Sequence, residues 1–89
     1  MSDIIAVKTI VLTHAAAKDL DGLPFRERSV IESALIRYAM TGIGDVKRLQ
    51  GRDGYHMRIG SYRVLFDEDL TTILAIYVGQ RETTTYRRR

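Results

Sequence analysis

A histidine and two arginines, His56, Arg58 and Arg63, stand at spacings that acquire chemical meaning if the segment folds as a β-hairpin. Guanidinium groups bind phosphate oxygens in bidentate fashion and stay charged at any physiological pH. Imidazole can take or give a proton near neutrality. The flanking pattern has a period of two. Tyr55, Met57 and Ile59 alternate with His56, Arg58 and Gly60, and Tyr62, Val64 and Phe66 alternate with Arg63, Leu65 and Asp67. Gly60-Ser61 is a suitable two-residue loop of the type that needs glycine first. That loop sets Ile59 opposite Tyr62, Met57 opposite Val64 and Tyr55 opposite Phe66, so six apolar side chains share the core face. The other face carries His56, Arg58, Arg63 and Leu65, with the two arginines directly opposed. Like charges so placed cost about 0.5 kcal/mol. A bound anion between them is the functional reading, and two solvated arginines are the bland one. His56 poses the same choice between a proton carrier and a solvated strand residue.

Further basic residues could join this face. Lys47, Arg48 and Arg52 lie in the polar stretch 45–53, which reads as a loop. Arg81 follows the near-continuous apolar run 71–79. With an odd-numbered turn near Asp69, Leu74, Ile76 and Val78 pack in the core and Arg81 shares the face of Arg58 and Arg63. An even count buries Ile73, Ala75 and Tyr77 instead, and turns Arg81 away. The odd case is preferred for its three aliphatics, but the residues leave both open. No metal or cofactor is expected. The two histidines, His14 and His56, fall on different elements, there is no cysteine, and neither a phosphate-loop glycine spacing nor a Ser/His/Asp pattern occurs.

The elements that must position these groups follow from local signals. Residues 4–12 are rich in β-branched side chains and read as a strand. Thr13 can cap a short helix reaching about Asp21, which Gly22-Leu23-Pro24 ends. A second helix is expected from about Phe25 to Thr41, with Ile31, Ala34, Leu35 and Tyr38 on one face and Gly42 and Gly44 after it. Such a short connection makes a helical hairpin. The predicted order is β-α-α-β-β-β: an α+β fold, with two helices against a small, mainly antiparallel four-stranded sheet.

The chain has 89 residues, which suits a single domain over 1–89. Its net charge of +3 is unevenly spread: positions 1–44 carry five basic and five acidic side chains, positions 45–89 nine and six. The excess lies in the half that holds the hairpin; a polyanionic partner is the functional reading of it, and a solvated basic surface is the bland one, which charge alone favours. The absence of cysteine makes a reducing compartment the default. Charged residues break every apolar run, so no membrane span is expected and the cytoplasm is the expected location.

Leu49-Gln50-Gly51, then Gly54-Tyr55-His56-Met57-Arg58-Ile59-Gly60-Ser61-Tyr62-Arg63-Val64-Leu65-Phe66, resembles the central hairpin of RelE-like toxins, within the RelE/ParE superfamily. Tyr77-Val78-Gly79-Gln80-Arg81-Glu82 with Tyr86-Arg87 is similar to their C-terminal signature. The resemblance spans essentially the whole chain. It implies a toxin of a type II toxin–antitoxin system that cuts mRNA on the ribosome, without a metal, by attack of the ribose 2′-hydroxyl on the adjacent phosphate. It implies phosphate and transition-state binding by Arg63 and Arg81, and base stacking or proton transfer by Tyr86. His56 and Arg58 stand where the best-known members carry lysines. Lys47, Arg48, Arg52 and Arg87 are the implied RNA-binding residues. A partly disordered antitoxin that neutralises the chain, and toxin–antitoxin assembly on operator DNA, are the implied partnerships. A ParE-like gyrase inhibitor without ribonuclease activity is the alternative on the same fold. A third reading is a regulatory member that binds only antitoxin and operator.

Overall fold

The computed structural model describes residues 7–80. They form β1 (Thr9–Leu12), α1 (His14–Asp21), α2 (Phe25–Thr41), β2 (Val46–Arg48), β3 (Tyr55–Ile59), β4 (Tyr62–Glu68) and β5 (Thr72–Gln80). The strands make one sheet in the order β1-β5-β4-β3-β2, with β1 parallel to β5 and all other pairs antiparallel. The α+β class and the two helices agree with the sequence reading. The strand count does not: the sheet is mixed and has five strands, and the added one, Val46–Arg48, lies inside the stretch expected to be a loop. It is a three-residue edge strand with two basic side chains. Charged residues commonly guard an edge, and so short a piece shows no alternation. The first strand is also shorter than expected. Val7 and Lys8 precede it, and positions 1–6 lie outside the described residues.

Local signals set the helix ends. Thr13 is extended, and its hydroxyl accepts the Ala16 N–H at 3.1 Å, capping α1. α2 closes at Gly42, which takes a left-handed φ of 76° and donates its N–H to the Tyr38 carbonyl. Ala16, Leu20, Ile31, Leu35 and Ala39 from the helices meet Met57, Ile59, Val64, Phe66, Ile73, Ala75 and Val78 from the sheet. Phe66 is central, stacked on Tyr55 at 5.6 Å and met edge-on by Tyr38 at 5.7 Å. The Tyr38 hydroxyl donates to Glu68 at 2.8 Å, and Lys8 pairs with the other oxygen of that carboxylate at 2.9 Å. Burial, then the adjacent carboxylate, pushes the Tyr38 phenol up to about 12. Among the described residues no helix is long and apolar enough to cross a membrane.

The hairpin register is the one expected from the Gly60-Ser61 loop, including Arg58 opposite Arg63. Gly60 has a φ of 59°, which the first position of that loop requires. The parity of β5 departs from both sequence alternatives. Phe66 pairs with Ala75 but Leu65 pairs with Tyr77, so Ile76 is an extra residue in the strand. Ile73 and Ala75 are buried before this bulge and Val78 after it, while Ile76 and Tyr77 are exposed. The preferred set Leu74, Ile76 and Val78 is therefore corrected: only Val78 of the three belongs to the core. β4 runs on through Glu68, and the turn near Asp69 spans 69–71, where the Asp69 carboxylate accepts the N–H groups of Thr71 and Thr72. Those donors hold its carboxyl below the usual range.

α1 holds the bulge in place. β1 stops at Leu12, opposite Ala75, so the outer edge of β5 has no strand partner beyond that point. Thr13 supplies its N–H to the Ala75 carbonyl at 2.9 Å and its hydroxyl to the Ile76 carbonyl at 3.0 Å. Asp19 accepts the Val78 N–H at 3.1 Å. Backbone groups that a bulge frees must find partners, because burying them unpaired is costly. Asp19→Ala should lower unfolding stability by about 1–3 kcal/mol, the cost of orphaning a part-buried donor. Asp19→Asn, which keeps an acceptor, should lose less. Urea denaturation of the three proteins checks this, and equal midpoints for Ala and wild type would remove Asp19 from the account.

Candidate active site

The face of the sheet opposite the helices is where the charged strand residues meet. Pairing across β2, β3, β4 and β5 sets Lys47, His56, Leu65 and Tyr77 in one row, and Arg58, Arg63 and Gly79 in the next. Lys47 joins the row only because its segment is a strand. His56, Arg58 and Arg63 thus share one face, as their spacing predicted.

The charges on this face are poorly balanced. Arg58 Nε lies 3.7 Å from Asp45 Oδ2, with 39% and 54% of the side chains exposed, a long pair in water that adds little stability. Among the described residues Arg63, which is half-buried, makes no ion pair and no side-chain hydrogen bond. His56 lies amid these cations, and among the described residues its buried Nδ1 has no hydrogen-bond partner. Burial first, then the positive charges of Arg63, Lys47 and Arg58, hold its imidazole below the ordinary 6.5, with Asp45 opposing. At neutral pH it is therefore neutral and able to accept a proton. Among the described residues this is a half-buried guanidinium without a carboxylate, beside an uncharged imidazole, an arrangement that can bind an anion.

Not every basic residue converges here. Arg48 follows Lys47 but projects to the other face, where its guanidinium lies 5.9 Å over the Tyr55 ring. Arg52 is exposed in the turn between β2 and β3. Arg81, Tyr86 and Arg87 lie outside the described residues. Among those described, no three His, Cys, Asp or Glu side chains cluster as metal ligands would. Sequence reasoning missed two neighbours of the site. Asp45 stands in the polar stretch that read as a loop, and Tyr77 in a strand that is apolar on both alternating sets from Ile73 to Val78. The pattern held no signal for either.

No protein-family model matches the chain, and no curated protein is significantly similar to it. Solved structures are. A chain of the toxin–antitoxin complex RelBE2 from Mycobacterium tuberculosis is 30% identical, with 83% of this chain and 98% of that one covered and a TM-score of 0.69. The chain belongs to the RelE-like toxin superfamily. Two more distant structures share its fold. One is the RelE–RelB complex of Pyrococcus horikoshii, 20% identical over 84% of this chain and 96% of that one, with a TM-score of 0.71. The other is the YoeB dimer of Staphylococcus aureus, 20% identical over 85% and 99%, with a TM-score of 0.67.

The electrostatics of this RelE-like hairpin can be checked directly. In the unfolded chain His56 takes up a proton at its ordinary value, but in the folded chain only at lower pH. Within that window the unfolded chain binds more protons, so acidification below about 6.5 should cost stability that is fully present above it. NMR titration should place the His56 midpoint below 6.5, and Arg63→Ala should move it upward. A midpoint at or above 6.5 in the wild type would contradict the burial and the cation cluster alike.

Proposed function

We propose that this RelE-like chain is the toxin of a type II toxin–antitoxin pair and a metal-independent endoribonuclease acting on mRNA at the ribosome. The observation that carries this is Arg63: a half-buried guanidinium with no anionic partner among the described residues, directly opposite Arg58 and on the same face as a neutral histidine. In the proposed reaction His56 accepts the proton of the ribose 2′-hydroxyl through Nε2, since Nδ1 is enclosed. The 2′-oxygen attacks the adjacent phosphorus and the bond to the 5′-oxygen breaks, leaving a 2′,3′-cyclic phosphate and a 5′-hydroxyl. Arg63 binds the non-bridging oxygens as negative charge builds on them, and Arg58, steadied by Asp45, flanks the same phosphate. Lys47 extends the basic track for the RNA backbone, with Arg52 at the rim. By the resemblance, Arg81 and Tyr86 complete the site, with proton delivery to the leaving oxygen among the roles of Tyr86, and Arg87 adds a backbone contact. Arg48, on the other face, has no part in this track.

The M. tuberculosis relative is part of a toxin–antitoxin complex, and the P. horikoshii one of a RelE–RelB complex. An antitoxin partner is proposed for this chain on that ground, with the pair assembling on operator DNA and acting in the cytoplasm.

Expression of the chain alone should arrest growth, and a co-encoded partner should relieve the arrest. Mapping of RNA 5′ ends should find new 5′-hydroxyl termini in translated messages. Growth arrest with intact mRNA and inhibited gyrase would contradict the ribonuclease reading.

Arg63→Ala should slow single-turnover cleavage by about 10²–10³-fold, the usual cost of losing one transition-state donor, while leaving the melting temperature unchanged or slightly higher because a like-charge contact is relieved. His56→Ala should slow it by roughly a hundredfold, and His56→Lys should recover part of that. Wild-type rates in Arg63→Ala would remove the phosphate-binding role. Equal rates for wild type and both His56 variants would leave the arginines to carry the chemistry.

A further inference from the structure

Tyr77 has no role in the reaction as described, yet the fold goes to some length to place it. Without the extra residue Ile76, alternation from Ile73 and Ala75 would turn Tyr77 into the core. With the bulge it stands on the open face, 46% exposed, in the row of His56 and Leu65. Its ring then lies along the strand over Gly79. A β-carbon at position 79 would fall 2.6 Å from the ring Cζ and 2.8 Å from Cε2, and would clash with the hydroxyl as well. Only a residue without a side chain lets the ring lie there. Gly79 is the cross-strand partner of Arg63, so the tyrosine ring is spread on the open face over the residue that pairs with the arginine the proposed reaction uses. Among the described residues the hydroxyl makes no hydrogen bond.

An exposed aromatic face next to an unpaired cation is the combination that single-stranded nucleic acid recognises, because every base offers a π face while the phosphate seeks the charge. We propose that Tyr77 is the stacking platform for a nucleobase flanking the phosphate held by Arg63. The inference rests on the ribonuclease reading and adds a binding residue to it. The ring contributes, the hydroxyl does not, and Gly79 is the positioning residue that keeps the ring flat.

The test is single-turnover cleavage of ribosome-bound mRNA, read as the toxin concentration at half-saturation. Tyr77→Leu keeps an apolar strand residue at an exposed site but removes the planar face. It should raise that concentration by about ten- to a hundredfold, the usual worth of one stacked base. Gly79→Ala, which displaces the ring, should do the same, and Tyr77→Phe should stay within about twofold of wild type. The deciding comparison replaces each base flanking the cut, in turn, by an abasic nucleotide. At one of the two positions wild type should lose the same factor and Tyr77→Leu should lose nothing further, a coupling that a merely structural role would not produce. If wild type cuts intact mRNA but Tyr77→Leu matches it, or abasic substitution penalises both proteins equally, the stacking role is overturned and the ribonuclease reading stands. If wild type cuts no mRNA at all, both fall together.

Discussion

One surplus residue in β5 decides what the open face of this sheet can be. The bulge at Ile76 lets a single strand bury Ile73 and Ala75 on one side of the break and Val78 on the other. Residues beyond it change face, which brings Tyr77 and Gly79 alongside Leu65 and Arg63. The disruption is sustained by α1: Thr13 and Asp19 bond the Ala75 and Ile76 carbonyls and the Val78 N–H just where β1 has run out. Thr13 also caps the helix that carries Asp19. The short first helix thus has a second task besides covering the core, and the geometry of the site depends on it.

The two faces of the sheet differ in how their charges are met. On the helix side, charge is paired and enclosed: Glu68 is met by both Lys8 and Tyr38, and apolar side chains fill the remainder. On the open side, among the described residues, Lys47, Arg58 and Arg63 surround His56 with Asp45 in partial opposition. Cross-strand repulsion of that kind costs a few tenths of a kcal/mol to about 1 kcal/mol, small against the burial on the other side. A fold of this size can carry it, and the unneutralised field is what an incoming phosphate would use. Burial first, and then the same field, holds the His56 imidazole below its ordinary value, so it is neutral in the range where a general base is useful.

Much of this was legible in the residues. The Gly60-Ser61 loop and strict alternation on both sides leave one sensible register, so the pairing of Arg58 with Arg63 and the face they share with His56 could be derived before any coordinates. Helix ends were equally plain, because Thr13, Gly22, Pro24 and Gly42 act locally. What escaped depends on contacts distant in sequence. Val46–Arg48 is a strand because β3 offers it an edge, and without that pairing the separation of Lys47 from Arg48 onto opposite faces is invisible. The parity of β5 could not be read because both alternating sets are apolar, and the bulge that splits them is anchored from Thr13 and Asp19, some sixty positions away. Tyr77 was hidden for the same reason.

In the proposed function this face brings a phosphate of mRNA to the arginines so that the neighbouring 2′-hydroxyl can attack it. The most direct measurement is cleavage of a ribosome-bound message carrying a single 2′-deoxynucleotide on the 5′ side of the mapped cut, compared with the all-ribose message. The account predicts that the substituted message still engages the protein but is not cut at that bond, while the all-ribose message yields a 2′,3′-cyclic phosphate and a 5′-hydroxyl. Cleavage of the deoxy-substituted bond at the normal rate would contradict it.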